Sequence, residues 1–257
     1  MKPEEHAARL IDEYCISSPK ELNVEEIAYA ENLFIKDAPL NNFLGMINYK
    51  ESHGIITLNS NITDKGQKIF TITHEIGHFF NERNKPDWLR GCKIDDLSSF
   101  KSAKRNEDNA NIFAAELLMH RPWFNDFTSK RDINFELIKE AAGYFSVSLS
   151  AAAIRYINIG KYPAAVIYSK DGVVKWSAFH DYFPFKFLPK GFAVPKDSAA
   201  FDFFKGDTMQ TCSDLVPAKA WFAKDYKVKV STYLYEQNVA MPNYNAVLTL
   251  LWQSEFD

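Results

Sequence analysis

Residues 70–80, FTITHEIGHFF, decide the fold of this chain. His74 and His78 are four residues apart, and residues at that spacing lie on one face of an α-helix. Glu75 lies about 100° further round such a helix. In the H-E-x-x-H pattern, the two histidines bind one metal ion and the glutamate acts as a general base. The stretch therefore predicts metal ligands at His74 and His78, with Glu75 beside the metal.

The surrounding residues predict that this stretch is an amphipathic helix. Thr63 or Asp64 can cap its N-terminus, and the helix runs to about Phe80. A solvated histidine pair, or two core histidines, is the alternative to a metal site. The apolar side chains favour the metal site, because they cluster roughly opposite the two histidines. They are Ile69, Ile72, Ile76, Phe79 and Phe80.

A catalytic zinc site usually has three protein ligands and a water molecule. A second predicted helix, at about 106–120, carries Glu107, Asp108 and Glu116. Glu107 shares a face with Ala110 and Ala114, whose small side chains allow close approach to the first helix, whereas Glu116 points to nearly the opposite side. Glu107 is therefore the predicted third ligand. The alternative is a solvated carboxylate that stabilises the helix N-terminus.

The sequence also offers less specific candidates for supporting roles around the predicted metal. Asn111, four residues after Glu107, can hold a ligating histidine by a hydrogen bond. A buried asparagine with a purely structural role is the alternative. An oxyanion-stabilising side chain is also expected. The sequence offers four unranked candidates for it, each with packing or surface exposure as the alternative: Tyr49, His120, Tyr144 and His180.

Outward from the motif, the N-terminal part predicts two helices and a small sheet. Residues 3–16 and 24–31 have helical spacing, the second with Asn23 as N-cap. LFIKDAPL, NNFLGMINY and GIITLN predict strands of a small antiparallel sheet before residue 63. Residues 82–105 predict a long polar loop. The predicted class is thus α+β, with helices and a small sheet around the motif.

The sequence pattern changes in the C-terminal part, where most of the predicted elements are strands. Residues 134–158 predict two helices joined near residues 146–148. AAVIYS-KDG-VVKWSAF then predicts a hairpin that turns at Asp171 and Gly172. VKVSTYLYEQ and NAVLTLLW predict further strands. We expect a first domain over 1–160, including the helices at 134–158, and a smaller β-rich domain over 161–257 whose role the sequence does not indicate.

Bulk composition excludes several classes of protein. The chain has 257 residues, a net charge of −3 and a pI near 6.1, which gives no global attraction to nucleic acid or anionic membranes. The N-terminus lacks a secretion-signal pattern, and no apolar run is long enough to span a membrane. Three widely spaced cysteines are typical of free thiols in a reducing compartment. We therefore expect a cytoplasmic protein.

FTITHEIGHFF, followed by EDNANIFAAELLM at 107–119, resembles the ImmA/IrrE family of metallo-endopeptidases. The resemblance covers roughly residues 25–160. It implies a zincin-like, gluzincin-type metallopeptidase domain with one Zn²⁺ per chain. The implied ligands are His74, His78 and Glu107, with Glu75 as general base. The sequence departs from the family pattern at His120, where Pro is common, and at Asn109, where a second Glu is common.

The resemblance also implies a partner and a regulatory role. Residues 137–158 correspond to a helix-turn-helix-like extension. Relatives cleave helix-turn-helix repressors, and some belong to toxin–antitoxin-like pairs. The implied function is a hydrolase, a zinc endopeptidase that acts on a specific regulatory protein such as a repressor or antitoxin. Members of the radiation response carry a GAF-like sensor at the C-terminus, which the sequence here does not identify.

Two other functions remain alternatives. One is direct DNA binding by the helices at 134–158, but LSAAAIRYIN (149–158) has Arg155 as its only cation, whereas phosphate binding needs several. The other is a non-catalytic zinc-binding regulator or antitoxin-like partner. A structural zinc needs four protein ligands, and the nearest cysteine, Cys92, lies fourteen residues beyond His78. The aromatic run FHDYFPFKF (179–187) predicts core and edge packing, with a groove as the alternative.

Overall fold

The computed structural model describes residues 1–50, 52–82, 88–93 and 105–253, with the backbone alone for residues 82, 88–93, 105 and 106. These residues fall into two compact units. The first unit is Met1–Phe124 with Ala142–Ser148, and the second is Asn125–Ala141 with Leu149–Asp257. This division differs from the one near residue 160, because residues 149–160 belong to the same unit as the C-terminal sheet. As a statement about functional domains, the division at 160 stays a prediction.

The helices of the first unit begin where local capping predicts. The Asn23 side chain accepts hydrogen bonds from the N–H groups of Glu25 and Glu26. Asp64 Oδ1 accepts one from the Gln67 N–H at 2.6 Å, so Asp64 caps the motif helix. The bounds are α1 Pro3–Glu13, α2 Val24–Ala30, α3 Lys65–Glu82 and α4 Arg105–Leu118.

A four-stranded sheet completes the first unit. Its strands are β1 Leu33–Ala38, β2 Phe43–Lys50, β3 His53–Asn59 and β4 Trp88–Lys93, in the order β1-β3-β2-β4. Both β3 and β4 pair antiparallel with β2, but β1 pairs parallel with β3. The prediction of a purely antiparallel sheet was therefore wrong for β1, because alternating apolar residues identify a strand but not its partner. The predicted loop at 82–105 contains β4, and residues 83–87 and 94–104 lie outside the described residues.

The motif helix α3 is the centre of this unit. It packs on β2, on β3 and on α4, and α1 packs on α4. The helices α3 and α4 approach closely at Gly77, where a Cβ atom would lie 3.1 Å from the Cα and carbonyl oxygen of Ala110. Residues 71–80 of α3 are all buried. The helix therefore has no solvent-exposed face beside the histidines, and both its apolar and its polar sides are covered.

Three helices follow in the chain, namely α5 Arg121–Thr128, α6 Phe135–Tyr144 and α7 Leu149–Ile159. The last two confirm the pair predicted at 134–158. The sequence missed α5 because Pro122 reads as a helix stop, but it lies in the first turn, where proline is tolerated. Seven consecutive residues of α7, Ala151–Ile157, are buried. The one cation of this helix, Arg155, is among these buried residues.

The second unit is built on a five-stranded antiparallel sheet in the order β6-β5-β9-β8-β7. The predicted hairpin is confirmed, since Asp171 and Gly172 both have positive φ, 53° and 74°, at its turn. The strand predicted from residue 228 begins at Tyr233, because Thr232 donates to the Lys229 carbonyl in a preceding turn. The strands are β5 Ala164–Lys170, β6 Val173–Phe179, β7 Asp214–Pro217, β8 Tyr233–Met241 and β9 Ala246–Trp252.

Two short helices, α8 Ala199–Lys205 and α9 Ala218–Trp221, also belong to this unit, with a 3₁₀ turn at Pro242–Tyr244. Buried Glu236 accepts hydrogen bonds from Trp221 Nε1 at 2.6 Å and Ser198 Oγ at 2.8 Å, which fixes both helices to β8. In the aromatic run at 179–187, Phe183 is buried and Tyr182 is exposed, as core and edge packing predicts. Among the described residues, no helix is both long and apolar enough to cross a membrane.

Candidate metal centre

Two neighbouring helices bring three ligand-type side chains together. His74 and His78 come from α3 and Glu107 comes from the first turn of α4. The two histidine Nε2 atoms are 3.0 Å apart. Glu107 Oε2 lies 3.3 Å from His74 Nε2 and 3.4 Å from His78 Nε2. Within the described part of the chain, this is the one cluster of three or more His, Cys, Asp or Glu side chains that could hold a metal ion.

The spacing of these three atoms fits one tetrahedral zinc ion. Bonds of 2.0–2.1 Å at tetrahedral angles place neighbouring ligand atoms ~3.3 Å apart. The three observed separations, 3.0 to 3.4 Å, lie around this value. Two imidazoles and one carboxylate are also a ligand set of catalytic zinc sites, although Mn²⁺ or Co²⁺ would be accepted as well. The three side chains could therefore hold one divalent ion.

The protonation states of the group suit a cation. Burial lowers the pKa of His74, so its imidazole is neutral and can offer a lone pair. Burial alone would raise the pKa of Glu107, but its contacts with His74 and then His78 outweigh that effect and lower the pKa. With a neutral His74 imidazole, its 3.3 Å contact with Glu107 is not an ion pair. The centre thus combines two imidazoles with one carboxylate.

Asn111 orients one of the ligands from the second helix. Its Oδ1 lies 2.9 Å from His74 Nδ1, and both side chains are buried. An amide oxygen can only accept, so this contact assigns the proton of the neutral imidazole to Nδ1 and leaves the Nε2 lone pair directed at the other ligands. The structure therefore places Asn111 beside a histidine ligand, one turn of α4 after Glu107.

Glu75 lies in a dry environment beside the metal group. It is fully buried, and among the described residues neither carboxylate oxygen meets a hydrogen-bond donor in good geometry. Burial raises the pKa of Glu75 to about 8, and nearby His78 and the Ile47 amide lower it only in part. A carboxyl group without partners is costly to bury in its charged form. Glu75 therefore keeps its proton at pH values at which a solvated carboxyl group has lost it.

Strand β2 covers Glu75, a feature that sequence reasoning missed. A Cβ atom on Gly45 would lie 2.5 Å from Thr71 Cγ2 and 3.0 Å from Glu75 Oε1. Only glycine permits this approach of the strand to α3. The signal was present in the sequence, because a glycine inside a strand often marks close approach of another group.

The centre is closed to solvent as folded. His74, Glu75, His78 and Glu107 are 0, 0, 1 and 4% exposed. Chemistry on a polypeptide at this centre therefore requires local opening.

The other predicted site residues lie elsewhere. Glu116 does not join the metal group, because its Oε1 accepts from the Arg121 N–H and lies 2.9 Å from His120 Nδ1. Tyr49 is buried edge-on against Phe79, and Tyr144 is 40% exposed. His180 belongs to the second unit. Neither His120 nor His180 belongs to the group of three ligand-type side chains.

Cys92, the alternative fourth ligand, lies in β4, and its side chain falls outside the described residues. That alternative stays a prediction.

Comparisons with known proteins give one family-model match and one likeness in fold. Residues 31–156 match the family model described as the IrrE N-terminal-like domain, peptidase family M78. The chain is also similar in fold to a solved structure, a Mycobacterium tuberculosis transcriptional regulator, with a TM-score of 0.60 and 11% identity. That likeness covers 98% of this chain and 76% of the other, and at such low identity it concerns the fold alone. No curated protein sequence matches the chain.

Proposed function

The chain belongs to the ImmA/IrrE family through its IrrE N-terminal-like domain, residues 31–156, and we propose that it is a zinc-dependent endopeptidase that cleaves a specific regulatory protein. One observation carries the proposal. Three ligand atoms from His74, His78 and Glu107 lie 3.0 to 3.4 Å from one another, with the Glu75 carboxyl group on the same helix. The family alone would supply a fold, whereas this arrangement supplies the chemistry.

A divalent ion held at this centre would act as a Lewis acid that polarises the scissile carbonyl and acidifies a water molecule. The protein's own groups perform the remaining steps. His74 presents a neutral nitrogen, His78 a second imidazole, and Glu107 contributes a negative charge. Glu75 takes the proton of the attacking water and passes it to the leaving amine. The same carboxyl group thus acts first as base and then as acid.

The environment of Glu75 suits both roles. Burial raises its pKa to about 8, and a nearby cation would lower that pKa again. General catalysis is most efficient when the pKa of the catalytic group lies near the working pH. A buried carboxyl group whose charge is balanced by the metal can therefore accept and release a proton near neutral pH.

We propose a helix-turn-helix repressor or an antitoxin as the substrate, in the cytoplasm. The support is the resemblance of the two motif blocks to family members with such targets, together with the closed centre. Because the four side chains are at most 4% exposed, a polypeptide reaches them only after local opening. A site of this kind favours one bound partner over general proteolysis.

A second candidate function is a non-catalytic regulator that keeps the metal for stability. The complete burial of Glu75 favours it, since a general base that no substrate reaches performs no turnover. In that case the ion would fix α3 against α4 and have no other role. His74, His78 and Glu107 are ligands for both candidates, so the two differ in turnover and in whether a fourth protein ligand completes the site.

The test is cleavage of a helix-turn-helix repressor encoded beside this chain. Zinc-loaded protein is incubated with the repressor, and new termini are identified by mass spectrometry. A single cleavage by the wild type that Glu75→Gln lacks supports the endopeptidase. An intact repressor with both proteins, at equal zinc content, supports the non-catalytic regulator.

A further inference from the structure

A cavity of about 600 Å³ lies in the first unit, at the N-terminal end of α3. It is formed by the turn before β2, the residues after β3 and the first turn of α3. Five side chains of its lining are carboxamides, and every lining residue that the structure describes is uncharged. The six residues that matter here are Asn41, Asn42, Asn59, Asn61, Gln67 and Leu44.

One of the five carboxamide side chains has a structural role, and the other four are available to bind a ligand. Asn59 is buried, and its Nδ2 donates to the carbonyls of Leu40 and Phe43 at 2.7 Å each, which shapes the turn at the rim. The other four side chains make no hydrogen bond within the described residues, and all four are exposed; they are Asn41, Asn42, Asn61 and Gln67. Each one offers two N–H donors and an acceptor oxygen.

The cavity and the metal centre lie along the same two elements, α3 and β2. Gln67, Thr71 and Glu75 follow one another at four-residue spacing on α3, so they lie along one face of the helix. Leu44 lines the cavity, and its neighbour Gly45 packs on Thr71 and Glu75. From Gln67 to Glu75 the helix rises about 12 Å. An extended polypeptide covers that distance in about three to four residues.

We infer that this cavity is a substrate-recognition subsite that takes an uncharged polar side chain, of glutamine or asparagine, three or four residues from the scissile bond. Carboxamides recognise another carboxamide well, because donors and acceptors are present on both sides. A charged side chain would lose hydration without gaining an opposite charge, since none of the described lining residues is ionic. The buried Leu44 supplies an apolar wall for the aliphatic part of the bound side chain.

This inference rests on the proposed endopeptidase, and its first test does not need activity. The zinc-loaded Glu75→Gln protein is labelled with ¹⁵N and titrated with the peptide acetyl-Ala-Gln-Ala-amide. Its Glu-containing counterpart, of the same shape but charged, is the matched probe. We expect the side-chain amide signals of Asn61 and Gln67 to shift with the Gln peptide and not with the Glu peptide. Equal shifts with both peptides, or none at millimolar concentration, would overturn the subsite.

The second test uses the cleaved regulatory protein. Asn61→Ala and Gln67→Ala should each raise KM about two- to tenfold, the range for one lost hydrogen bond, with kcat unchanged. Asn48→Ala is the control, because Asn48 is an exposed residue of β2 outside the cavity. Unchanged KM in both cavity variants contradicts the subsite even if the wild type is active. If the wild type cleaves nothing, the proposed function fails, and the peptide titration alone decides whether the cavity binds carboxamides.

Discussion

Asn111 Oδ1 lies 2.9 Å from His74 Nδ1, and this buried contact joins the motif helix to the helix that carries Glu107. It does two things at once. It fixes the imidazole with its Nε2 atom toward His78 and Glu107, and it fixes α3 against α4 at the level of the metal group. The geometry of the centre therefore depends on a residue that would not itself touch the metal.

Replacing Asn111 tests this dependence. Asn111→Ala removes the acceptor of the His74 Nδ1 proton, and we expect zinc affinity to fall about 10- to 100-fold. His74→Ala should lose the ion altogether. Competition with a chromophoric chelator measures both affinities, with His53→Ala as control because His53 is exposed on β3. Wild-type affinity in Asn111→Ala would show that the contact does not support the metal.

The close packing of the two helices makes a prediction about glycine. Gly77→Ala would place a methyl group 3.1 Å from the Ala110 backbone, and we expect it to destabilise the protein by about 1–3 kcal/mol. Gly143→Ala is the matched control in α6, because nothing lies within 4 Å of its added Cβ. That change should be neutral or stabilising by up to about 1 kcal/mol. Urea unfolding of both variants gives the comparison, and equal effects would argue against the close approach.

The role of Glu75 predicts a separation of binding from turnover. Glu75→Gln keeps the shape of the side chain and removes the base, so zinc content should stay at one per chain while cleavage of the repressor falls about 10²–10⁴-fold. Metal analysis and a timed cleavage assay on the same preparation provide the two values. Full activity in this variant would remove Glu75 from the mechanism.

Burial of Glu75 also predicts the pH dependence of the metal-free protein. Its pKa is about 8 in the folded chain against an ordinary value of 4.5. Between these values the folded state holds a proton that the unfolded state has released, so the contribution of Glu75 to stability is full below pH 4.5 and is lost as pH rises to 8. In this range the free energy of unfolding falls by at most about 1.4 kcal/mol per pH unit because of Glu75.

The side-chain amide in Glu75→Gln does not titrate, so this variant lacks the loss of stability that Glu75 causes as pH rises. In EDTA, its free energy of unfolding should therefore rise relative to the wild type as pH increases from 5 to 8. Glu4→Gln, at an exposed position of α1, should follow the wild type at every pH. Parallel urea midpoints for Glu75→Gln and the wild type across this range would show that Glu75 is hydrated and not buried.

The parts of the centre that depend on local sequence could be predicted. The spacing of His74 and His78, the cap at Asp64 and the facing of Glu107 with Ala110 follow from helical geometry within one or two elements. The burial of α7 also had a signal, since LSAAAIRYIN is apolar nearly all round, and such helices lie in cores. The helices α6 and α7 follow one another along the chain as in a helix-turn-helix element, but Ala151–Ile157 of α7 are buried.

The remaining features depend on contacts between distant segments. The parallel pairing of β1 with β3 leaves no mark in the alternation of either strand. The approach of Gly45 to Glu75 requires β2 to lie across α3, which the sequence of neither element specifies. The closure of the centre is likewise the sum of several packed elements. These are the features that turn a motif into a buried site with a raised Glu75 pKa.

The most direct test of the account is X-ray absorption at the zinc edge on the zinc-loaded full chain. A catalytic zinc ion held by His74, His78 and Glu107 would have two nitrogen ligands and one carboxylate oxygen at 2.0–2.2 Å, with a further light atom and no sulfur. A sulfur neighbour near 2.3 Å would identify Cys92 as a fourth ligand and the centre as structural, which would contradict the endopeptidase.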